Sequence, residues 1–528
     1  MEVMVGSSVA ELELAEPYLR EVLGTVGLDV EYLRASGNTL FYQDAAGNEV
    51  PVLDLACGFG SLILGHHHPE VVARAKELLE SQVPVHAQFS RHSYANDLAA
   101  VLNRIIARET GSSEPYWAIF GNSGAESVEI SIKHAEMERG ARLAELVGEV
   151  EAGVAAAREA VGRGATVAPE VFAALGLPAT AGFDAVAEAV VARTADLTGR
   201  APVFLALEGG FHGKLVGSIQ LTHNEGYRTP FTRLAARCRF VAVGDVAGLR
   251  AIVEEESRSL TVLTVDGDAV TGVERALPVF GGFFVEPIQG EAGIRVLPAA
   301  FGAEISRVCE ETGAPLIMDE IQSGMGRSGA FLASSRIGLR GDYYLLAKSL
   351  GGGIAKSSVM LVRGERYQRD FELAHSSTFA KDAFSCHVAL KVVELLEADG
   401  GAAYRMAAER GAALKSRLEK VRGDFDDVVL DVRGEGLMLG FEFRDQSSSP
   451  SAQIAQTAQE GFFGFAVAGY ALRTHRLRLF QTASAMNTFR FEPSIFLSDA
   501  EIDQIDSGLR DICALLRAAD GERLMGTS

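Results

Sequence analysis

The sequence predicts an α/β protein, with a large domain built on a mostly parallel sheet and a smaller α+β domain. Short apolar runs of strand length, such as 116–120, 203–207 and 314–320, alternate with helix-like stretches. This alternation is typical of βαβ units, in which a helix joins each strand to a parallel neighbour. After about residue 364 the pattern changes to a long helical stretch, a strand-like segment at 427–443 and a closing helix.

The chain is predicted to divide into three segments. Residues 1–86 form an N-terminal segment that belongs to the small domain, 87–363 form the large domain, and 364–528 complete the small domain. Two stretches resemble additions to this framework: an Ala/Glu/Arg-rich helical region at about 138–200, and a hairpin at 258–280. The helical addition either covers a substrate entrance or a subunit contact, or is a surface feature.

The composition is ordinary for a globular protein. The net charge of -21 over 528 residues argues against nucleic acid or an anionic membrane as a partner. The five cysteines are scattered and none forms a C-x-x-C pair, which favours reduced thiols. The first residues lack the basic start and apolar run of a signal peptide, and no run reaches the roughly 18 apolar residues of a membrane span. We therefore expect a cytoplasmic protein.

One glycine pattern admits two interpretations. Gly324, Gly326 and Gly329 spell G-x-G-x-x-G, as in a dinucleotide site, and Asp342 follows where a ribose partner would lie. A dinucleotide loop leads directly into a helix whose N-terminus meets the pyrophosphate, but the stretch after Gly329 is broken by Gly and Ser. Two acidic residues, 319–320, would also lie beside the pyrophosphate. The sequence therefore disfavours a dehydrogenase.

Three local features point to a different cofactor. Ser123 and Glu126 fit a capping box, and the free amides of a helix N-terminus favour a phosphate. Lys348 lies between an apolar run and three glycines, where loss of water makes an amine a nucleophile toward carbonyls. Asp319 ends an apolar strand, where ligands of α/β folds bind. Singly, these are also compatible with a helix cap and a surface lysine; together they are what pyridoxal 5'-phosphate needs.

Eight sequence blocks, in order, resemble the class III (ω-type) aminotransferases of fold type I. They are "GHHHPEV" at 65–71, "NSGAES" at 122–127, "FHGK" at 211–214, "VEPIQGEAG" at 285–293, "MDEIQSGMGRSG" at 318–329, "AKSLGGG" at 347–353, "HSSTF" at 375–379 and "FRFEP" at 489–493. These blocks run through nearly the whole chain. The resemblance implies a pyridoxal-phosphate-dependent transferase.

The resemblance also implies a set of cofactor-binding residues: Ser123, Gly124, Ala125, Phe211, Asp319, Ile321, Gln322, Lys348 and Thr378. The first three bind the phosphate, Phe211 and Ile321 contact the two faces of the ring, and Gln322 reaches the ring hydroxyl. Asp319 pairs with the ring nitrogen and keeps it protonated.

The remaining implied roles concern catalysis, substrate and subunit contacts. Lys348 holds the cofactor covalently and then moves the substrate proton. Thr378 reaches the phosphate of the neighbouring subunit's cofactor, which implies a homodimer with shared active sites. Arg490 binds a substrate carboxylate, and Glu291 is its ionic partner when no carboxylate is present.

The chain departs from the family pattern at several positions. Lys214 stands where the family often has Arg, which keeps the charge but loses the two-pronged fork. The sequence "FAKDAF" at 379–384 replaces a common Gly-Gly-Asn-Pro, so this edge of the site is expected to be reshaped. No metal site is predicted at the histidine triplet 66–68, because consecutive residues do not readily converge on one ion.

The implied activity is transfer of an amino group from a glutamate-like donor to an aldehyde or ketone. The insertion and the altered edge favour an acceptor from specialised metabolism. Here the chain resembles the amine-forming enzymes of the caerulomycin type, which act on a bipyridyl aldehyde. Two alternatives stay open: a racemase or mutase of the same fold, and a protein that binds pyridoxal phosphate without turnover.

Overall fold

The fold is described here from a computed structural model, which describes residues 17–86, 90–91, 93–234 and 237–526. Its helices are α1 (Pro17–Thr25), α2 (Cys57–Gly60), α3 (Pro69–Glu80), α4 (Ser93–Thr110), α5 (Gly124–Gly162), α6 (Pro169–Ala174), α7 (Phe183–Thr198), α8 (Ser218–Leu221), α9 (Glu225–Arg228), α10 (Val246–Glu256), α11 (Ala299–Thr312), α12 (Ala333–Arg336), α13 (Phe371–Ala374), α14 (Ala383–Asp424), α15 (Ala452–Gln459), α16 (Phe463–His475), α17 (Asp499–Arg517) and α18 (Gly521–Met525).

The strands within these residues are short, and most have two to eight residues. They are β1 (Arg34–Ser36), β2 (Thr39–Gln43), β3 (Glu49–Asp54), β4 (Tyr116–Gly121), β5 (Thr166–Val167), β6 (Val203–Leu207), β7 (Arg237–Val241), β8 (Ser259–Asp266), β9 (Ala269–Ala276), β10 (Phe280–Val285), β11 (Ile288–Gln289), β12 (Arg295–Val296), β13 (Leu316–Asp319), β14 (Tyr343–Leu346), β15 (Ser358–Arg363), β16 (Val429–Glu435), β17 (Met438–Phe443), β18 (Leu477–Arg478), β19 (Phe480–Gln481) and β20 (Thr488–Phe491).

A seven-stranded sheet with the order β4-β15-β14-β13-β10-β6-β7 confirms the predicted α/β class. In this order, each pair of adjacent strands from β14 to β7 is parallel, whereas β15 is antiparallel to both β14 and β4. All strands except β15 therefore run in one direction. Strands β6, β10, β13 and β14 are buried along their whole length, as expected for a parallel sheet that is covered on both faces.

The chain separates into two compact units. Residues 69–405 form the larger unit, and the described residues before and after this range form the smaller one. The sequence prediction placed these boundaries at 86 and 363 instead. The predicted and observed divisions differ over residues 69–86 and 364–405, which the structure assigns to the larger unit. Both stretches pack close to the lysine motif, since a Cβ on Gly352 would lie 2.8 Å from Val392 and 3.0 Å from Val71.

The smaller unit contains two four-stranded sheets. One has the order β1-β2-β3-β18, and the other has the order β16-β17-β20-β19. In the second sheet β17 pairs antiparallel with both β16 and β20, which agrees with the predicted strand-like segment at 427–443. Strand β20 carries the "FRFEP" block.

The two additions seen in the sequence form one module in the larger unit. Strand β5 pairs with β9, and β8 and β9 form the predicted hairpin. The end of helix α5, α6, α7 and this sheet share a hydrophobic cluster that includes Val150, Val171, Val190, Leu260 and Val270. Residues from the helical addition and from the hairpin thus bury each other's apolar side chains. Helix α5, with 39 residues, joins this module to the "NSGAES" block at its N-terminus.

Two glycines of helix α5 allow a test of this packing. A Cβ on Gly153 would lie 2.4 Å from the carbonyl oxygen of Leu263, whereas a Cβ on Gly148 would meet nothing within 4 Å. Gly153→Ala is expected to lower the free energy of unfolding of the module by about 1–3 kcal/mol because it overpacks the contact. Gly148→Ala is expected to raise it by about 0.5–1 kcal/mol through helix propensity.

Thermal and urea unfolding of both variants measure this difference. Equal shifts for the two glycines would show that α5 does not pack on β8 as described.

Candidate active site

The segments that carry the predicted cofactor residues follow strands that point the same way. Segments 122–126, 208–213, 286–291, 319–322 and 347–348 come directly after β4, β6, β10, β13 and β14. Because these strands run in one direction, their carboxyl ends lie at one edge of the sheet. This edge is where ligands bind in open α/β sheets.

The N-terminus of helix α5 forms a cup that suits an anion. Ser123 is the N-cap, and its side chain accepts a hydrogen bond from the backbone N of Glu126 at 3.3 Å. The Glu126 carboxylate in turn accepts hydrogen bonds from the Asn122 backbone N at 2.9 Å and from the Ser123 hydroxyl at 3.1 Å. The first amides of a helix have no carbonyl partner within it, so those of Gly124 and Ala125 suit a phosphate.

Gly124 also lets a second site residue approach this cup. A Cβ at this position would lie 2.9 Å from Cγ2 of Ile321. Any larger residue would therefore push away the side chain that is predicted to contact the cofactor ring.

Asp319 is held by a buried histidine. Its Oδ2 lies 2.7 Å from Nδ1 of His212, and its Oδ1 accepts a hydrogen bond from the backbone N of Ile321 at 3.1 Å. Burial lowers the pKa of His212, but the hydrogen bond to Asp319, together with the charges of Asp319 and Glu286, raises this pKa above its ordinary value. The imidazole of His212 therefore holds the Asp319 carboxylate in place at the carboxyl end of β13.

The sequence analysis missed the role of His212. The residue was quoted within "FHGK", but only Phe211 was assigned a function. Its position next to the predicted ring contact was the available signal, although a sequence separation of 107 positions from Asp319 hides the contact.

Lys348 begins a 3-10 turn, Lys348–Gly351, shortly after β14 ends. Its backbone has φ 46°, in the left-handed region that non-glycine residues seldom adopt. Strain of this kind persists only where the surrounding structure fixes it, and it is concentrated at functional sites. The tight packing of Gly352 described above is part of that structure.

The other predicted ring contacts lie on the same edge. Gln322 is 8% exposed, and a Cβ on Gly290 would lie 1.9 Å from its Oε1, so a side chain at position 290 would displace the Gln322 amide. Phe211 is half-buried, and its ring lies 6.5 Å from that of Tyr227. The Nζ atom of Lys214 lies 3.5 Å from the centre of the Tyr227 ring, a cation–π contact.

Thr378 is exposed in a loop that also contacts the α5 cup. The neighbouring Ser377 hydroxyl donates to the Glu126 carboxylate at 3.2 Å and accepts from the Asn122 amide at 2.9 Å. The loop that carries Thr378 is therefore anchored to the α5 cup of its own chain.

Arg490 lies in strand β20 of the smaller unit and is only 1% exposed. Its NH1 lies 4.0 Å from the carboxylate of Glu492, which is fully buried, and its guanidinium lies 5.0 Å from the ring centre of Phe59. Glu291, the ionic partner implied by the resemblance, belongs to the larger unit. Glu492 was missed, although it stands two residues from Arg490 in "FRFEP".

The dinucleotide interpretation of the glycine pattern fails on local geometry. The glycines are followed by turns and then by α12, which has only four residues. The backbone N atoms of Ala333 and Ser334 at its start already donate to the Glu320 carboxylate, at 3.1 Å and 2.7 Å. Asp342 accepts a hydrogen bond from the backbone N of Leu316 and pairs with Arg363, so it has a structural role.

The described residues contain neither a candidate membrane span nor a candidate metal site. No helix within them is long and apolar enough to cross a membrane. They also hold no group of three or more His, Cys, Asp or Glu side chains with the arrangement of a metal site.

A family model of the class III aminotransferases matches residues 25–513. The chain belongs to this family. The predicted resemblance, fold type and enzyme class are thereby confirmed. As a class III aminotransferase, the protein depends on pyridoxal 5'-phosphate.

Relatives and solved structures agree with this assignment. A putrescine aminotransferase from Pectobacterium atrosepticum is 29% identical over 415 residues, which cover 78% of this chain and 70% of that protein. The structure of an ornithine aminotransferase from Toxoplasma gondii aligns over 96% of this chain and 97% of its own, with a TM-score of 0.65 and 20% identity. That of an amine transaminase from an uncultivated Pseudomonas species aligns over 97% and 98%, with a TM-score of 0.66 and 21% identity. Both structures show the shared fold.

The residues at the sheet edge fit the aminotransferase cofactor. The α5 cup suits a phosphate, the histidine-backed carboxylate of Asp319 suits a protonated ring nitrogen, and Lys348 offers an amine at the end of β14. When bound, pyridoxal phosphate withdraws electrons from the Cα of the substrate.

Proposed function

We propose that this aminotransferase takes its amino group from an amino-acid donor such as glutamate and delivers it to an aldehyde or ketone that lacks a carboxylate. The observation that carries the proposal is the buried Arg490–Glu492 pair. A guanidinium suits a carboxylate because it offers a two-pronged, charge-assisted pair. Its acidic neighbour limits the cost of a buried charge when a substrate without a carboxylate is bound.

The named relatives support a carboxylate-free partner. One is named for putrescine, a diamine, and one solved structure is an amine transaminase. We therefore propose that one site serves two kinds of substrate. The changed edge at 379–384 and the module on helix α5 support an acceptor from specialised metabolism, of which a bipyridyl aldehyde is one example. The scattered cysteines support a cytoplasmic location.

The proposed residue roles are those that the family resemblance implies, and the positions described above support them. Ser123, Gly124 and Ala125 bind the phosphate, and Phe211, Ile321 and Gln322 contact the ring and its hydroxyl. Lys348 holds the cofactor and moves the proton at Cα, while Asp319 keeps the ring nitrogen protonated.

A homodimer is part of the proposal. Thr378 would complete the cofactor site of a neighbouring subunit, as the family resemblance implies. Its exposure and the 63% exposure of the adjacent Phe379 support a contact there.

A donor and acceptor screen tests the proposed function. Purified enzyme is loaded with pyridoxal phosphate and given glutamate or putrescine with a panel of aldehydes and keto acids. Amine product formed from glutamate and an uncharged aldehyde supports the proposal. Transfer of the amino group to keto acids alone, with none to an uncharged aldehyde, would contradict it.

Arg490→Ala is expected to affect the two half-reactions differently. Reaction of glutamate with the loaded enzyme loses the ionic pair to its carboxylate, so kcat/KM is expected to fall by at least about 10²-fold. Amination of an uncharged aldehyde by enzyme preloaded with pyridoxamine phosphate is expected to change by less than about fivefold. Stopped-flow absorbance follows each half separately.

Arg490→Lys is the matched control, because it keeps the charge and loses the fork. It is expected to fall between the wild type and the alanine variant with glutamate. Equal losses in both halves would mean that Arg490 supports the fold. No loss in either would place the carboxylate clamp elsewhere, with Lys214 as the next candidate.

A further inference from the structure

Glu286 is a buried carboxylate that follows strand β10 and joins two loops of the site. The residue is 6% exposed. Its Oε1 accepts a hydrogen bond from the backbone N of Phe211 at 2.9 Å, and its Oε2 accepts one from the backbone N of Gly290 at 3.3 Å. The first amide belongs to the loop after β6 and the second to the loop after β10.

Both amides adjoin residues that face the cofactor site. Phe211 is a ring contact, and the next residue, His212, holds Asp319. Gly290 is the glycine that packs directly against Gln322. Glu286 is therefore connected, by one backbone step or one contact, to two side chains that the cofactor ring is proposed to meet, Phe211 and Gln322, and to His212, which holds Asp319.

Two side chains accept backbone amides of the loop that carries Phe211 and so support it. On one side the Thr222 hydroxyl accepts from the backbone N of His212 at 3.0 Å and donates to the carbonyl O of Gly213 at 2.9 Å. On the other side is Glu286. Losing either support leaves a buried amide without its acceptor, which is costly and allows the loop to move.

We propose that Glu286 is a positioning residue, which fixes Phe211, His212 and Gln322 for cofactor binding through the amides of Phe211 and Gly290. This inference rests on the site assignment made under the proposed function. Glu286 does not touch the reacting atoms; it acts through the residues that do.

The buried position of Glu286 also changes its acidity. Burial raises the pKa of its carboxyl to about 7, against the opposing effect of His212. The titratable groups that act on it are His212, from the loop after β6, and Asp319, from the end of β13. This folded-state pKa lies above the ordinary value of 4.5, so between these two pH values the folded protein binds a proton that the unfolded chain has released. The stability of the folded protein therefore falls as pH rises from 4.5 to about 7.

Cofactor affinity of the apoenzyme tests the proposal. Pyridoxal phosphate is titrated into wild type, Glu286→Ala and Glu286→Gln, and Kd is read from protein fluorescence. Glu286→Ala removes both acceptors and is expected to weaken binding by about tenfold or more. Glu286→Gln keeps one acceptor oxygen, so its Kd is expected to lie between the two, and it provides the answer if the alanine variant does not fold.

Glu320→Gln is the matched control. Glu320 is also a buried carboxylate that accepts two backbone amides, but those belong to Ala333 and Ser334. The control is expected to lose thermal stability while keeping Kd within about twofold of wild type. A pH series adds a second measurement: between pH 5 and 8 the Tm of wild type is expected to fall relative to that of Glu286→Gln.

Each result of these titrations supports or overturns the inference about Glu286. Weaker binding in the Glu286 variants alone supports the inference. A Kd within about twofold of wild type for both variants, or an equal loss in Glu320→Gln, overturns it. If the wild-type protein itself fails to bind pyridoxal phosphate, the cofactor site is misassigned, and the Glu286 inference fails with it.

Discussion

Lys348→Ala is expected to abolish amino-group transfer, with a loss in kcat of more than about 10³-fold. The variant loses both the amine that attaches the cofactor and the base that moves the proton at Cα, and each of these contributes a large factor. The fold at this turn is expected to survive, because alanine keeps the backbone and Gly352 still packs against Val71 and Val392. Keto-acid production from glutamate measures the loss.

Lys356→Ala is the control for this experiment. Lys356 is exposed and lies eight positions further along the chain. Its loss is expected to change kcat by less than about twofold. Borohydride reduction of the wild-type holoenzyme, followed by peptide mapping, is expected to place the label on Lys348. A label on Lys356 would overturn the assignment.

Asp319→Ala is expected to produce the second largest effect. The ionic hydrogen bond to the ring nitrogen acts where charge develops, and such contacts contribute about 3 kcal/mol, or on the order of 10²–10³ in rate. The variant also leaves His212 buried without the carboxylate that it contacts at 2.7 Å. We expect a loss of at least about 10²-fold in the half-reaction with glutamate, measured by stopped-flow absorbance.

Asp342→Asn serves as the comparison for Asp319. Asp342 is also a buried acid, but it accepts the backbone N of Leu316 and pairs with Arg363. It is expected to lose stability and to keep its rate. A loss of less than about threefold in Asp319→Ala would mean that another group holds the ring nitrogen.

The sequence predicted the sheet and the positions of its site segments because both depend on local patterns. The apolar runs became β4, β6, β10 and β13, of which the last three are buried throughout, and the blocks after them follow their carboxyl ends. The antiparallel strand β15 was not foreseen. Its apolar run resembles those of the parallel strands of the sheet. Its direction is therefore set by how the chain connects the strands and not by its composition.

Contacts between distant segments were beyond the reach of local patterns. His212 contacts Asp319, and the Glu286 carboxylate accepts a hydrogen bond from the backbone N of Phe211. Each of these contacts joins residues in different βα loops. The same limit applies to the module on helix α5. The helical region and the hairpin were each recognised as additions, but no periodicity within either shows that β5 pairs with β9.

A single-turnover reaction tests the central claim most directly. Holoenzyme is mixed with excess glutamate and no acceptor, and 2-oxoglutarate is measured against the concentration of active sites. An aminotransferase is expected to release one equivalent of the keto acid and to retain the amino group until an acceptor is added. Racemised glutamate without keto acid, or no reaction at all, would contradict the account.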